Sequence, residues 1–314
     1  MKQSTHDIVN RHILCATSTV ATESVKRAVE EEVRLTNSKD LSVSCDGTWL
    51  TRGHSSQQEV CTVIDAKSGK VLDTHVLSVS CKACERWHNK TDTIEYNEWW
   101  EQHESECSKN HSGSAGSMEV EGMKKIFSRS LEKHSVRYVN YTGVGDTKSY
   151  KSVSESEPYG PGVTIKKIEC VGHVQKRMGT NLRKKKKDIA GQKLSDGKTI
   201  GGKNRLTDAV INTLTVYYGN AIRSCSESVT AMRQAVWAIW YHKSSTDSNP
   251  LHNFCPKGSD SWCPYQRAVH EGTESHYHHK NNIAPAIMEA ISHCSTELLS
   301  RCIGGHTQNN ESLN

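Results

Sequence analysis

The stretch Leu-Ser-Val-Ser-Cys-Asp-Gly-Thr-Trp (41–49) begins the part of the sequence that decides the fold. Apolar and polar residues alternate over 41–45, which is typical of a strand with one buried face. Two more strand-like segments follow at 60–64 and 71–78, separated by a turn at 65–70. The pattern predicts a three-stranded antiparallel meander with Asp46 at the end of its first strand.

Elements on either side of the meander complete a β-β-β-α-β-α-β-α order. Apolar residues recur at helical spacing before and after it, and single strands separate the later helices. The expected helices lie at 9–36, 118–133, from about 149, at 173–182, 206–218, 228–241 and 284–303, and the two further strands at 137–141 and 164–171. This order predicts an α/β fold, an RNase H-like mixed sheet with flanking helices, whose first and fourth strands lead into acids.

Composition and element order together suggest four segments along the chain. We expect an N-terminal helical segment (1–39), an RNase H-like core (40–182) that contains a Cys/His insertion at 81–117, a basic linker with a large helical insertion (183–303), and the start of a last motif (304–314).

Composition also limits the class of protein. Hydrophobic residues make up 34% of the chain, and no apolar run reaches the roughly 18 residues of a membrane span. The opening residues Met-Lys-Gln-Ser-Thr-His-Asp lack the apolar region of a signal peptide. We therefore expect an intracellular protein without a membrane partner. There, 12 Cys and 17 His are better explained as metal ligands than as disulfides.

Positive charge is concentrated in one segment. Residues 166–205 hold 13 Lys or Arg and 3 Asp or Glu, a net +10, whereas the whole chain is +5, so the remainder carries −5. Such a segment indicates a polyanionic partner, and a solvated loop or a nuclear-import signal is the alternative interpretation. Both interpretations place the protein in the nucleus. The candidate DNA-binding residues are Lys176, Arg177, Arg183, Lys184, Lys185, Lys186 and Lys187.

A first cluster with zinc-like spacing lies in the Cys/His insertion. Its members are Cys81, Cys84, His103 and Cys107. The first two form a tight Cys-x-x-Cys turn, and the last two are four residues apart, which predicts one shared helix face. His88 and His111 are competing ligands.

A second cluster lies in a polar segment rich in Pro and Gly, which a structural metal would help to order. Its members are His242, His252, Cys255 and Cys263. Cys170 and His173 form a third pair, which either completes a site with ligands from residues 252–263 or packs without a metal. All of these are candidate structural Zn²⁺ sites with no open position.

Three acids stand in distinctive surroundings. The motifs are Ser-Cys-Asp-Gly-Thr-Trp (44–49) around Asp46, Gly-Val-Gly-Asp-Thr-Lys-Ser-Tyr (143–150) around Asp146, and Thr-Gln-Asn-Asn-Glu-Ser-Leu-Asn (307–314) around Glu311. Three converging carboxylates can hold two divalent ions that cut and join phosphodiester bonds. Taken singly, each has a simpler interpretation, because Asp-Gly is a common turn pair and Glu311 is an ordinary charge.

The motifs resemble those of the Mutator-like transposase domain of animal genomes, from about residue 40 to the last residue. That family carries Asp-Gly-Thr-Trp, Gly-Asp-Gly-Asp-(Ser/Thr)-Lys and Asn-Glu-Ser-x-Asn around its acids. Two further family motifs match residues 169–178 (Glu-Cys-Val-Gly-His-Val-Gln-Lys-Arg-Met) and 201–208 (Gly-Gly-Lys-x-Arg-Leu-Thr-Asp). The resemblance implies that Asp46, Asp146 and Glu311 are catalytic ligands of Mg²⁺ or Mn²⁺. The implied substrate is double-stranded DNA, both the transposon ends and the target.

Two departures from the family pattern bear on activity. Val144 stands where the family has an Asp, so we assign Asp146, the last acid of that motif, as the ligand. The chain stops three residues after Glu311, so we expect the C-terminal helix of the fold to be truncated. The alternatives to an active transposase are a catalytically inactive, transposase-derived DNA-binding protein and a zinc-stabilised interaction module. The sequence leaves open whether the chain acts as a homo-oligomer.

Overall fold

The computed structural model describes residues 3–51, 56–143, 147–203, 205–273, 283–292 and 299–304. The chain forms two compact units, one running to Lys167 and the other beginning at Ile168. The expected boundary before a basic linker at 183 therefore falls inside the second unit.

A five-stranded mixed sheet forms the centre of the first unit. Its strands are β1 (Asp40–Trp49), β2 (Gln58–Asp65), β3 (Val71–Ser78), β4 (Arg137–Gly143) and β5 (Lys166–Ile168), in the spatial order β3-β2-β1-β4-β5. The pairs β1–β2 and β2–β3 are antiparallel, whereas β1 and β4 run parallel. The predicted meander and the mixed α/β sheet are confirmed.

The first strand is longer than the sequence predicts. Asp46 pairs with Thr62, and the ladder continues to Trp49. The expectation that Asp46 ends the strand is therefore wrong, and so is the interpretation of Asp46 and Gly47 as a hairpin turn. The reason is tertiary: a ladder of backbone hydrogen bonds on β2 holds this Asp-Gly pair extended against its turn preference.

The helices of the first unit are α1 (Gln3–Thr36), α2 (Lys82–Trp87), α3 (Ile94–His103), α4 (Ala115–His134) and α5 (Thr147–Glu155). Of these, α1 and α4 pack on the strands of the sheet, and α5 packs on α4. Helix α4 buries Met118, Met123, Ile126 and Phe127 in the same core as Leu41 of β1. A Cβ atom at Gly122 would clash with Cys61 Sγ, so glycine allows α4 to approach β2 closely.

The second unit is helical. Its elements are α6 (Val171–Asp188), α7 (Asp208–Ser224), α8 (Val229–Ser244), α9 (Pro264–Glu271), α10 (Pro285–Ile291) and a short 3-10 helix (Leu299–Cys302). Thr207 and Ser228 cap α7 and α8 by accepting hydrogen bonds from the first turns. Trp240 of α8 is buried, as its helical spacing predicts. None of the described helices combines the length and apolar character needed to cross a membrane.

One buried carboxylate ties α4 to β3. Asp73 is 1% exposed and accepts hydrogen bonds from Arg129 Nε at 2.8 Å and Lys133 Nζ at 2.7 Å. Burial alone would raise the pKa of Asp73, but the hydrogen bonds from Arg129 and Lys133 outweigh it and lower the pKa below its usual value. The ion pair thus stabilises the folded state while Asp73 is ionised.

Asp73→Asn should lower the free energy of unfolding by about 2–3 kcal/mol at pH 7. This loss is smaller than that expected for a wholly buried ion pair, because Arg129 and Lys133 both reach solvent. The pKa of Asp73 is lower in the folded state than in the unfolded state. The ion pair therefore contributes fully to stability above the unfolded-state pKa, and this contribution declines as the pH falls through the folded-state pKa. Urea unfolding at pH 7 and near pH 3 measures both effects. Equal stability of Asp73→Asn and the exposed control Asp92→Asn at pH 7 would contradict this account.

Candidate functional site

Asp46 lies on β1 beside the end of β4. Its side chain is partly buried, and its Oδ1 accepts a hydrogen bond from the Gly47 N–H at 3.0 Å. In the parallel β1–β4 ladder, the neighbouring Cys45 pairs with Gly143, the last residue of β4. Asp46 therefore lies beside the end of β4. In the sequence, Asp146 follows the last residue of β4 by three residues.

The other two motif acids cannot be placed in the same way. Asp146 and Glu311 lie outside the described residues. The structure thus locates one member of the predicted triad, and it gives the bounds of the elements that flank the second, since α5 begins at Thr147.

Two more carboxylates lie near Asp46 that sequence reasoning missed. Glu59 of β2 is fully buried, and Glu119 of α4 is partly buried. Burial, followed by the charges of Glu119 and Asp46, raises the pKa of Glu59 to about 8. Glu119 could have been recognised from the sequence, because Gly122, Met123 and Ile126 follow it at the spacing that places residues on one helix face.

Hydrogen bonding fixes one of these two acids. Buried Ser149 of α5 donates its hydroxyl to Glu119 Oε1 at 3.0 Å. Asp46, Glu59 and Glu119 therefore bring acidic side chains from β1, β2 and α4 to one region.

The first Cys/His cluster forms a compact group. Cys81 Sγ lies 3.3 Å and Cys84 Sγ 3.5 Å from His103 Nε2, and Cys84 Sγ lies 3.5 Å from Cys107 Sγ. Helix α3 ends at His103 and a 3-10 turn precedes Cys107, so the expectation that these two share one helix face is wrong. The competing ligands bond elsewhere, His88 to Asn89 and His111 to Ser117.

Backbone groups favour a thiolate in this first cluster. Burial opposes ionisation of Cys81, but hydrogen bonds from Ser108 and from the N–H groups of Cys84 and Ala83 lower its pKa to about 5. Backbone N–H groups of a Cys-x-x-Cys turn that point at the first sulfur prepare it as a metal ligand.

The second Cys/His cluster is buried throughout. His242 Nδ1 and His252 Nδ1 lie 3.2 Å apart, and Cys263 Sγ lies 3.6 and 3.5 Å from them. Cys255 Sγ lies 3.7 Å from His242 Nδ1. His252 Nε2 lies 3.0 Å from Ser245 Oγ, a contact that directs the other ring nitrogen into the group.

One thiol of this second cluster is acidic. A hydrogen bond from Cys255 lowers the pKa of Cys263 well below its usual value, against burial and with help from His242 and the Gln266 N–H. A buried thiolate beside two imidazoles is the donor set that a Zn²⁺ ion requires.

Both clusters fit a tetrahedral zinc ion. Bonds of about 2.0–2.3 Å to nitrogen and sulfur place tetrahedral ligand atoms roughly 3.3–3.8 Å apart. The contacts between ligand atoms in both groups lie between 3.2 and 3.8 Å. Each cluster therefore offers four ligands that could hold Zn²⁺ and leaves no position open for a reacting water.

Cys170 and His173 join neither group of four among the described residues. Cys170 is buried just before α6. The neighbouring Glu169 pairs with Arg177 at 3.2 Å, and its backbone N–H donates to Arg301 O. The second cluster has four ligands of its own without this pair.

The basic run forms the surface of a helix. Helix α6 buries Val174, Met178 and Leu182 and continues through the basic run to Asp188. Arg183 donates to Asn212 Oδ1, and Lys186 lies 3.2 Å from Asp208. The exposed cations of this helix are Lys176, Arg183, Lys184 and Lys187.

Purified protein should contain two zinc ions per chain by elemental analysis, one for each cluster. Cys84→Ser and Cys263→Ser should each lose one ion, because three remaining ligands hold Zn²⁺ less tightly than four. Cys225→Ser, outside both groups, is the control and should keep both ions. Full zinc content in either ligand variant would contradict the assignment.

Comparison with known proteins agrees with these features. No curated protein and no solved structure matches the chain. The family model for the Mutator-like transposase matches residues 1–263 of the 314-residue chain, well over half its length. The protein therefore belongs to the Mutator-like transposase family.

Proposed function

We propose that this chain is a DNA transposase catalytic domain with an RNase H-like fold, which cuts and joins phosphodiester bonds with Mg²⁺ or Mn²⁺. The observation that carries the proposal is the placement of Asp46 beside the end of β4. In the parallel β1–β4 pair, Cys45, the residue before Asp46, lies opposite the last residue of β4. Asp146 follows that residue by three positions, so the two acids need no long connection to converge.

The residues of this region suit a hard divalent cation. Carboxylate oxygens are the ligands that Mg²⁺ prefers. Neither carboxylate oxygen of buried Glu59 meets an N–H or O–H donor among the described residues. A cation would offset the cost of burying that charge.

In the proposed reaction, Asp46, Asp146 and Glu311 hold the divalent ions, which activate a water or 3′-hydroxyl and stabilise the leaving oxygen when bound. The role of this chain's acids is to fix that geometry. The Gly47 N–H, bonded to Asp46 Oδ1, orients one of them.

The remaining candidate sites have supporting roles in this proposal. The two Cys/His clusters hold structural Zn²⁺, since a closed set of four ligands suits that use. The exposed face of α6 contacts DNA phosphates, which positions the duplex without reading its sequence. A nuclear location is part of the proposal, because the substrate is chromosomal DNA.

Asp46→Asn should reduce Mg²⁺- or Mn²⁺-dependent nicking of supercoiled plasmid by roughly a hundredfold or more, as a loss of a few kcal/mol of transition-state stabilisation requires. Asp92→Asn, an exposed acid between α2 and α3, is the control and should nick as the unmodified chain does. Zinc content and salt-dependent DNA binding should be unchanged in both.

A folded, zinc-loaded chain that binds DNA but never nicks it would overturn the catalytic proposal. The replacement of a family Asp by Val144 favours that second candidate, a transposase-derived DNA-binding protein. The absence of salt-dependent DNA binding would contradict both candidates.

A further inference from the structure

Two acids outside the three family motifs converge on one glycine next to Asp46. A Cβ atom at Gly47 would clash with Glu59 Oε1 and would lie 3.4 Å from Glu119 Cγ. A glycine at this position of β1 therefore leaves room for the Glu59 carboxylate, and the Glu119 side chain lies at contact distance from it. The backbone of the first motif is thus shaped around a pair of carboxylates.

Glu59 is directed into this region, where the neighbouring polar side chain is the Cys61 thiol, a weak donor. Glu59 is fully buried, and neither of its carboxylate oxygens meets an N–H or O–H donor among the described residues. The nearby Cys61 thiol is directed to the carbonyl oxygens of Met118 and Glu119, at 4.0 and 3.9 Å. A buried, unpaired carboxylate is costly unless a proton or a cation accompanies it.

Glu119 connects this region to the segment of the second acid. Its Oε1 accepts the hydroxyl of Ser149 at 3.0 Å. Ser149 lies in α5, three residues after Asp146 in the sequence. The Ser149 hydrogen bond thus holds Glu119 against α5, which begins one residue after Asp146 in the sequence.

We propose that Glu59 and Glu119 join Asp46 in a divalent-cation site, as ligands that the family motifs do not indicate. The proposal rests on the proposed function, since it extends the same metal centre. Three carboxylates from β1, β2 and α4 supply the oxygen donors that Mg²⁺ and Mn²⁺ prefer. Asp46, Glu59 and Glu119 are less tightly grouped than the Cys/His ligands, whose atoms lie within 4.8 Å of one another in each cluster. Binding of one ion therefore requires the two glutamate side chains to rotate toward it.

Mn²⁺ binding to the zinc-loaded full chain tests this directly by electron paramagnetic resonance, which reports bound ions without any catalysis. Glu119→Gln and Glu59→Gln should each weaken Mn²⁺ binding by roughly tenfold or more, the loss that follows removal of a group supporting a metal. The control is Glu132→Gln, an exposed acid on the same helix, which should bind as the unmodified chain does.

Unchanged Mn²⁺ affinity in both glutamine variants, with binding lost in Asp46→Asn, would overturn this inference and leave the proposed function standing. A chain that binds no Mn²⁺ at all would contradict both. If Glu59→Gln loses zinc or fails to fold, Glu119→Gln alone decides, because its partly exposed side chain makes a smaller demand on folding.

Discussion

The parallel pairing of β1 with β4 is the constraint on which the rest of the first unit depends. It brings Cys45, in the middle of β1, next to Gly143 at the end of β4, although about a hundred residues separate the two in the sequence. Parallel neighbours need a crossover connection, and α4 supplies its main helix here. That crossover lays Glu119 over β1 and β2, so the strand pairing determines which acids surround Asp46.

The chain uses two kinds of ligand chemistry in separate places. Soft sulfur and nitrogen donors form two groups that do not include Asp46, and in each group four ligands leave no open position. Hard oxygen donors gather on β1, β2 and α4, where burial and mutual repulsion raise the pKa of Glu59. Zinc therefore suits the first two places, and Mg²⁺ or Mn²⁺ suits the third.

Much of the fold could be predicted from the sequence because it depends on local patterns. Alternation predicted the meander, helical spacing predicted α4, and Cys-x-x-Cys spacing predicted the first cluster. The errors arose where tertiary contacts override local preference. The Asp46–Gly47 pair extends because β2 offers a ladder, and the basic run stays helical because Leu182 anchors α6. Glu59 could not be recognised, since its burial depends on a helix that is distant in sequence.

The most direct test of a metal centre at Asp46 is to map where a bound ion lies. Fe²⁺ can replace Mg²⁺ on oxygen ligands, and with ascorbate and peroxide it generates radicals that cut the nearest backbone. In zinc-saturated protein, we expect cuts in β1 around Asp46 and near the end of β4 at Gly143, and excess Mg²⁺ should suppress them. Cuts confined to the two Cys/His clusters, or cuts that persist at β1 in Asp46→Asn, would contradict the account.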